Sequence, residues 1–143
     1  EAATAARLDA IQLHGKETPA RVREIAQRSG RGIIKVLSVS EASDFDPAPA
    51  YEPLVEHLMF DTKAPKDAHR PGGLGARFDW TLLEDRRFQR PWFLAGGLDP
   101  WNVAGAIAAS KAPLVDVSSG VERGPGLKDP ALITAFLDAV RRA

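Results

Sequence analysis

Leu114-Val115-Asp116-Val117-Ser118-Ser119-Gly120 is a short apolar run that carries one acid and ends in two hydroxyls and a glycine. Read as a buried strand, it delivers Ser118, Ser119 and Gly120 at its C-terminal tip, where backbone N–H groups outside the ladder can hold an anion. Phe93-Leu94-Ala95-Gly96-Gly97 ends in the same way one unit earlier. Two neighbouring parallel strands that both finish in small residues, each followed by a helix, make the phosphate-binding corner of a (β/α)8 barrel.

Working back from that corner, the same strand-then-helix rhythm extends towards the start. Strands are expected near 8–13, 33–39, 55–60, 92–96 and 114–118. The second is the clearest, because Ile33 to Val39 is rich in β-branched residues and nearly continuous, with Lys35 the one charge inside it. Thr18-Pro19, Asp99-Pro100 and Asp129-Pro130 each combine a capping side chain with a proline suited to the first helical turn. Val22, Ile25 and Ala26 follow the first of these at helical spacing. Leu132, Ile133, Phe136, Leu137 and Val140 follow the last. Ser40 to Pro53 reads as a loop with about one helical turn, and Asp79 as the cap of a short helix through Leu83. Strand and helix thus alternate in a single domain, 1–143, as a parallel α/β fold with about five of the eight βα units of a barrel.

Composition narrows the function classes. Lys plus Arg and Asp plus Glu both number 19, so the overall balance points to neither nucleic acid nor an anionic membrane. No apolar run approaches the ~20 residues that span a bilayer. There is no cysteine, hence no disulfide framework and no thiolate chemistry from these residues, and a cytoplasmic home is the expectation. His14, His57 and His69 are scattered without ligand spacing, so no metal site is expected.

The candidate chemistry lies at strand ends. Asp61 follows Leu58-Met59-Phe60 at the tip of the third strand, on the face where reacting residues of such a barrel collect; the competing reading is an aspartate that caps the next loop. Asp116, inside an apolar strand, must be paired or hydrogen-bonded if buried. It would orient a substrate hydroxyl or hold neighbouring loops. Gly96, Gly97, Ser118, Ser119 and Gly120 form the phosphate cradle, against the plainer reading of simple loop geometry. Gly72, Gly73 and Gly75 lie in a long aperiodic connection and suggest a flap over the site, or just a turn. His14 and Gln12 close the first strand near the substrate, and His14 could move a proton. Lys35 points into the barrel towards an anion, or pairs with a carboxylate such as Asp61. Trp80, Trp92 and Trp101 are expected to pack helices on strands.

Taken together, these motifs resemble the phosphoribosylanthranilate isomerase family of tryptophan biosynthesis. The matching stretches are Leu8-Asp9-Ala10-Ile11-Gln12-Leu13-His14-Gly15, Phe60-Asp61-Thr62-Lys63, Gly72-Gly73-Leu74-Gly75 with Phe78-Asp79-Trp80, Leu94-Ala95-Gly96-Gly97-Leu98 with Pro100 and Asn102-Val103, and Val115-Asp116-Val117-Ser118-Ser119-Gly120-Val121-Glu122 with Pro125-Gly126 and Lys128-Asp129. The resemblance implies a (β/α)8 barrel and an Amadori rearrangement of N-(5-phosphoribosyl)anthranilate, with a phosphosugar substrate and no cofactor. It implies Asp61 as general acid, and Gly96, Gly97, Ser118, Ser119 and Gly120 as the phosphate site. The family's base is a cysteine on its first strand, and an arginine of its early loops receives the anthranilate carboxylate. This chain has no cysteine, and its first motif matches the family's fourth strand. The resemblance therefore implies that about three βα units are missing and that these residues alone bind the phosphate end weakly without turnover. A monomer and a homodimer are both compatible with the sequence. Two other readings compete: another barrel enzyme acting on a phosphorylated sugar, and a non-catalytic α/β unit that binds a ligand or partner through its sheet edges.

Overall fold

The computed structural model describes residues 7–62 and 78–143. Five parallel strands form one sheet in sequential order: β1 (Ala10–Leu13), β2 (Gly32–Val39), β3 (His57–Thr62), β4 (Trp92–Leu94) and β5 (Leu114–Val115). Three main helices alternate with them, α1 (Pro19–Ser29), α3 (Val103–Ser110) and α4 (Pro130–Arg141), and a one-turn helix α2 (Ala48–Tyr51) lies between β2 and β3.

Local chemistry sets these boundaries. The Thr18 hydroxyl accepts from the N–H of Arg21, Pro19 occupies the first turn, and Gly30 at φ +61° closes α1 with its N–H on the Ala26 carbonyl. Asp129 caps α4 through the N–H groups of Ala131 and Leu132. Asp79 likewise caps a 3-10 turn, Trp80–Leu83. Asp99 behaves differently from expectation. Its carboxylate is taken by the N–H groups of Trp101 and Asn102 in a turn, and α3 starts only at Val103. The 40–53 stretch holds more helix than its composition suggests, with 3-10 turns at Ala42–Phe45 and Glu52–Leu54 flanking α2.

The two faces of the sheet have different covers. Ile33, Leu58, Phe60 and Leu94 point outward and join Val22 of α1, Val103 of α3 and Phe136 of α4 in the main core. Phe60 is fully buried, with Phe45 edge-on at 5.0 Å and Trp92 at 5.4 Å. The inner face carries Val36, Met59 and Ala95, backed by Ile34 and Phe93, with no helical residue among them. Strands in sequential order with every helix on one face are a barrel wall, whereas an open doubly wound sheet reverses its order and covers both faces. Five strands do not close an eight-stranded barrel. Among the described residues β1 and β5 each pair with a single neighbour, and an apolar groove of 410 Å³ runs between β5 and α4, lined by Leu114, Val115, Ile133, Phe136 and Leu137.

Several expectations need correction. The fifth strand stops at Val115, so Asp116 lies just beyond it, and Ser119–Val121 form a 3-10 turn. The first strand starts at Ala10 rather than residue 8, and the third begins at His57 and runs on to Thr62. Glu122–Gly124 (β6) and Leu127–Lys128 (β7) form an antiparallel hairpin that the sequence reading did not anticipate. Trp92 is buried and packs as expected, but Trp101 is 81% exposed. No helix among the described residues is long and apolar enough to cross a membrane.

Candidate active site

Register decides which side chains share the inner face. Val36, Met59 and Phe93 are aligned across β2, β3 and β4, and Leu114 is paired with Phe93. Two residues further along, Ser38 is paired with Asp61; Ala95 and Asp116 continue that row, because Ala95 donates to the Phe60 carbonyl and Asp116 to that of Leu94. Side chains alternate along a strand, so Ser38, Asp61, Ala95 and Asp116 line one rim at the C-terminal end of the barrel wall. Gln12, paired with Ile34, puts β1 on the same face, and His14 two residues on reaches the rim. The His14 Nε2 lies 3.5 Å from the Asp61 Oδ2, with three quarters of the Asp61 side chain shielded from water.

The glycine tips are held against this rim. Gly96 adopts φ +88° and Gly97 φ +65°, both in the region that L side chains avoid. A Cβ on Gly96 would lie 2.6 Å from the Asp61 Oδ1 and strike the Thr62 hydroxyl, so this backbone passes directly over the acid. Asn102 fastens the loop, donating from Nδ2 to the Gly97 carbonyl at 2.9 Å and accepting the Asp99 N–H at 3.0 Å. On the neighbouring tip, a Cβ on Gly120 would collide with the Leu98 carbonyl. The two loops are therefore in backbone contact. Among the described residues the N–H groups of Gly96, Gly97, Ser119 and Gly120 meet no acceptor. Unpaired amides of this kind on two touching loops make a nest for an anion.

Asp116 is an exposed residue, yet partial desolvation of its carboxyl, followed by the negative charge of Asp61, pushes its pKa above the ordinary aspartate value; the Lys128 ammonium pulls the other way. Asp116 lies beyond the strand rather than inside it, and being exposed it does not need the partner that burial would demand; no described residue hydrogen-bonds its side chain.

Lys35 does not belong to the site. It shares the outer face with Ile33, is 2% exposed, and its Nζ donates to the Gly15 carbonyl at 2.8 Å, the Leu13 carbonyl at 3.4 Å and the Glu17 carboxylate at 2.9 Å. The Tyr51 ring lies 5.7 Å away. Its carboxylate partner is thus Glu17 and not Asp61, and its task is to tie the β1 tip to β2. Gly72, Gly73 and Gly75 fall outside the described residues. Asn102 and Lys128 stand in the matching motifs, but sequence reasoning gave neither a role; the turn signal Gly124-Pro125-Gly126 ahead of Lys128 was the available clue to the hairpin.

Comparison with known proteins points to one family. The family model for N-(5'phosphoribosyl)anthranilate (PRA) isomerase matches residues 1–139. The chain is 72% identical over 134 residues to an N-(5'-phosphoribosyl)anthranilate isomerase of Caulobacter sp. (strain K31), a match covering 94% of this chain and 63% of the relative. It superimposes with a TM-score of 0.83 on phosphoribosyl anthranilate isomerase from Thermotoga maritima, at 39% identity, covering 99% of this chain and 65% of that one. A second solved structure, phosphoribosyl anthranilate isomerase in complex with reduced 1-(o-carboxyphenylamino)-1-deoxyribulose 5-phosphate, matches with a TM-score of 0.79 at 36% identity, covering 99% of this chain and 63% of that one. The chain spans about three fifths of the length of the curated relatives it matches. With the five-unit barrel wall and the motif order, these matches establish that the chain belongs to the N-(5'-phosphoribosyl)anthranilate isomerase family.

Proposed function

We propose that this chain supplies the acid and the phosphate site of an N-(5-phosphoribosyl)anthranilate isomerase, as five βα units of an eight-unit barrel. The observation that carries this reading is the placement of the Asp61 carboxyl directly beneath Gly96, at the mouth of the amide nest built by the 96–97 and 119–120 tips. A ribose phosphate anchored in that nest presents its sugar to Asp61. The solved relative that holds a reduced carboxyphenylamino-deoxyribulose phosphate supports a ligand of this class.

In the mechanism, Asp61 protonates the ribose ring oxygen while the anilino lone pair forms the iminium and the C1–O bond breaks. A base then removes the C2 proton, the electron pair flows to the iminium, and the resulting enolamine tautomerises to the ketone. C1 is reduced as C2 is oxidised within one molecule, so there is no net redox change and the scheme calls for no cofactor. The base is a cysteine in the family, and this chain has none; it falls to the barrel units that the described sheet lacks. The free edges of β1 and β5 and the apolar groove beside α4 are where those units would dock. The reading places the enzyme in the cytoplasm.

The deciding experiment follows the conversion of N-(5-phosphoribosyl)anthranilate by the protein that carries these 143 residues. Turnover is expected, and it should be lost in Asp61→Asn. Substrate left unchanged by the wild-type protein would return the site to another phosphosugar enzyme or to a binding role.

A further inference from the structure

Lys128 sits on the β6–β7 hairpin, ten residues past the phosphate tip, yet its ammonium reaches back to it. Nζ donates to the Ser118 carbonyl at 2.8 Å, to the Ser118 hydroxyl at 3.3 Å and to the Glu122 carboxylate at 2.7 Å. An ammonium has three N–H donors, and these three acceptors use all of them. Glu122 is in turn fixed, because its second oxygen accepts the Gly126 N–H at 3.0 Å and the Lys128 contact holds its carboxyl below the usual glutamate range. The hairpin therefore ends in a clasp whose far jaw is the backbone of Ser118.

That clasp acts on the residue that sets the direction of the next two amides. Ser118 stands at φ −122° and ψ −86°, outside the ordinary helical and extended regions, immediately before the turn carrying Ser119 and Gly120. Turning the Ser118 carbonyl towards Lys128 rotates the same peptide plane that carries the Ser119 N–H, since carbonyl and amide of one peptide unit point in opposite directions. We propose that Lys128 is a positioning residue of the phosphate site: with its donors spent on Ser118 and Glu122, it holds the 118–119 peptide so that the Ser119 and Gly120 amides face the anion. This inference rests on the phosphate site proposed above and assigns Lys128 no contact with the ligand.

The test uses the protein that carries these residues, with inorganic phosphate as the probe, and compares wild type with Lys128→Met and Lys128→Arg. Two quantities are read: phosphate affinity by calorimetry, and the amide resonances of Ser119 and Gly120 without phosphate. Lys128→Met is expected to weaken phosphate binding about tenfold, the size of a lost hydrogen bond to a charged group, and to shift both amide resonances. Lys128→Arg, which keeps donors and charge, should recover part of both. In kinetics the loss falls on KM more than on kcat. Unchanged amides in Lys128→Met, even with weaker binding, would reduce Lys128 to a distant positive charge and overturn the inference. So would shifted amides with unchanged affinity. In either case wild-type phosphate binding leaves the proposed function standing, whereas a wild-type protein without phosphate affinity removes both.

Discussion

The His14 imidazole and the Asp61 carboxylate meet across the tip of β2, Nε2 to Oδ2 at 3.5 Å, although β1 and β3 are not neighbours in the sheet. The separation is longer than a charge-assisted hydrogen bond, so the pair is loose in the described state. With the Gly96 backbone so near the other carboxyl oxygen that a Cβ there would strike it, Asp61 lies between two groups at the barrel mouth.

On the proposed assignment of Asp61 as proton donor, Asp61→Asn keeps the shape but cannot donate, and it should lower kcat by about 10²–10⁴-fold. His14→Ala should lower it less. If His14 acts only by aiming Asp61, adding His14→Ala to Asp61→Asn brings no further loss, because the two effects share one route. Steady-state kinetics on the two single variants and the double variant decide this, and a full additive loss would give His14 a role of its own.

The glycines at the two tips should respond very differently from a glycine elsewhere. Gly96→Ala combines a positive φ, worth ~1–2 kcal/mol of strain, with a collision against Asp61 and Thr62. Gly120→Ala drives a methyl into the Leu98 carbonyl, which no rotamer change relieves. Both should raise KM for the phosphorylated substrate and lower thermal stability. Gly105→Ala is the contrast: it lies inside α3 with open space around it, so ~0.5–1 kcal/mol of stabilisation is expected. Thermal melts and KM values for the three variants check the ordering.

How far the sequence was readable follows from the physics of each element. β2 was legible because Ile33, Ile34, Val36 and Val39 leave little alternative to a strand. The same richness hid the facing of Lys35. Both faces of β2 are apolar, so there is no alternation from which to tell inner from outer, and only the register with β3 shows that Lys35 belongs with the helices. Asp99-Pro100 misled for another reason: an aspartate before a proline suits a turn as well as a cap, and here it closes a turn one step before α3. The tip glycines were visible as composition, but their contact with Leu98 and Asp61 depends on two strands meeting in space. Lys128 was hidden because its partner, Ser118, lies across a hairpin of strands too short to leave a periodic signal.

Lys35 and Glu17 test the fastening of the β1 tip. Lys35 is almost fully buried, while about a quarter of the Glu17 side chain stays in water. The hydrogen bond from Lys35 holds the Glu17 carboxyl below its ordinary pKa. A depressed carboxylate pKa contributes stability above the unfolded value and loses it as pH falls through the folded one, so this contribution fades on acidification below about pH 4.5. Glu17→Gln leaves the ammonium with carbonyls alone. It should cost about 2 kcal/mol, less than the ~3–5 kcal/mol of breaking a fully buried pair. Urea denaturation at neutral and acidic pH measures it, and a cost that persists at low pH would mean that packing rather than charge is lost.

Asp116 gives the opposite sign. Desolvation, then the charge of Asp61, raises its folded-state pKa above the ordinary 3.8. The native state therefore holds this proton more tightly than the unfolded chain, and stability is lost as pH rises from about 4 through the raised value. Asp116→Asn cannot ionise. Its stability advantage over wild type should grow across that window and level off above it. The two neighbouring charges predict how the advantage changes. Lys128→Met removes the cation that opposes the shift and should enlarge it, whereas Asp61→Asn removes the second cause of the shift and should shrink it. Stability curves against pH for the three pairs of variants measure this coupling. An Asp116→Asn advantage that ignores both partners would show that the carboxyl is shifted by burial alone and stands apart from the acid at the barrel mouth.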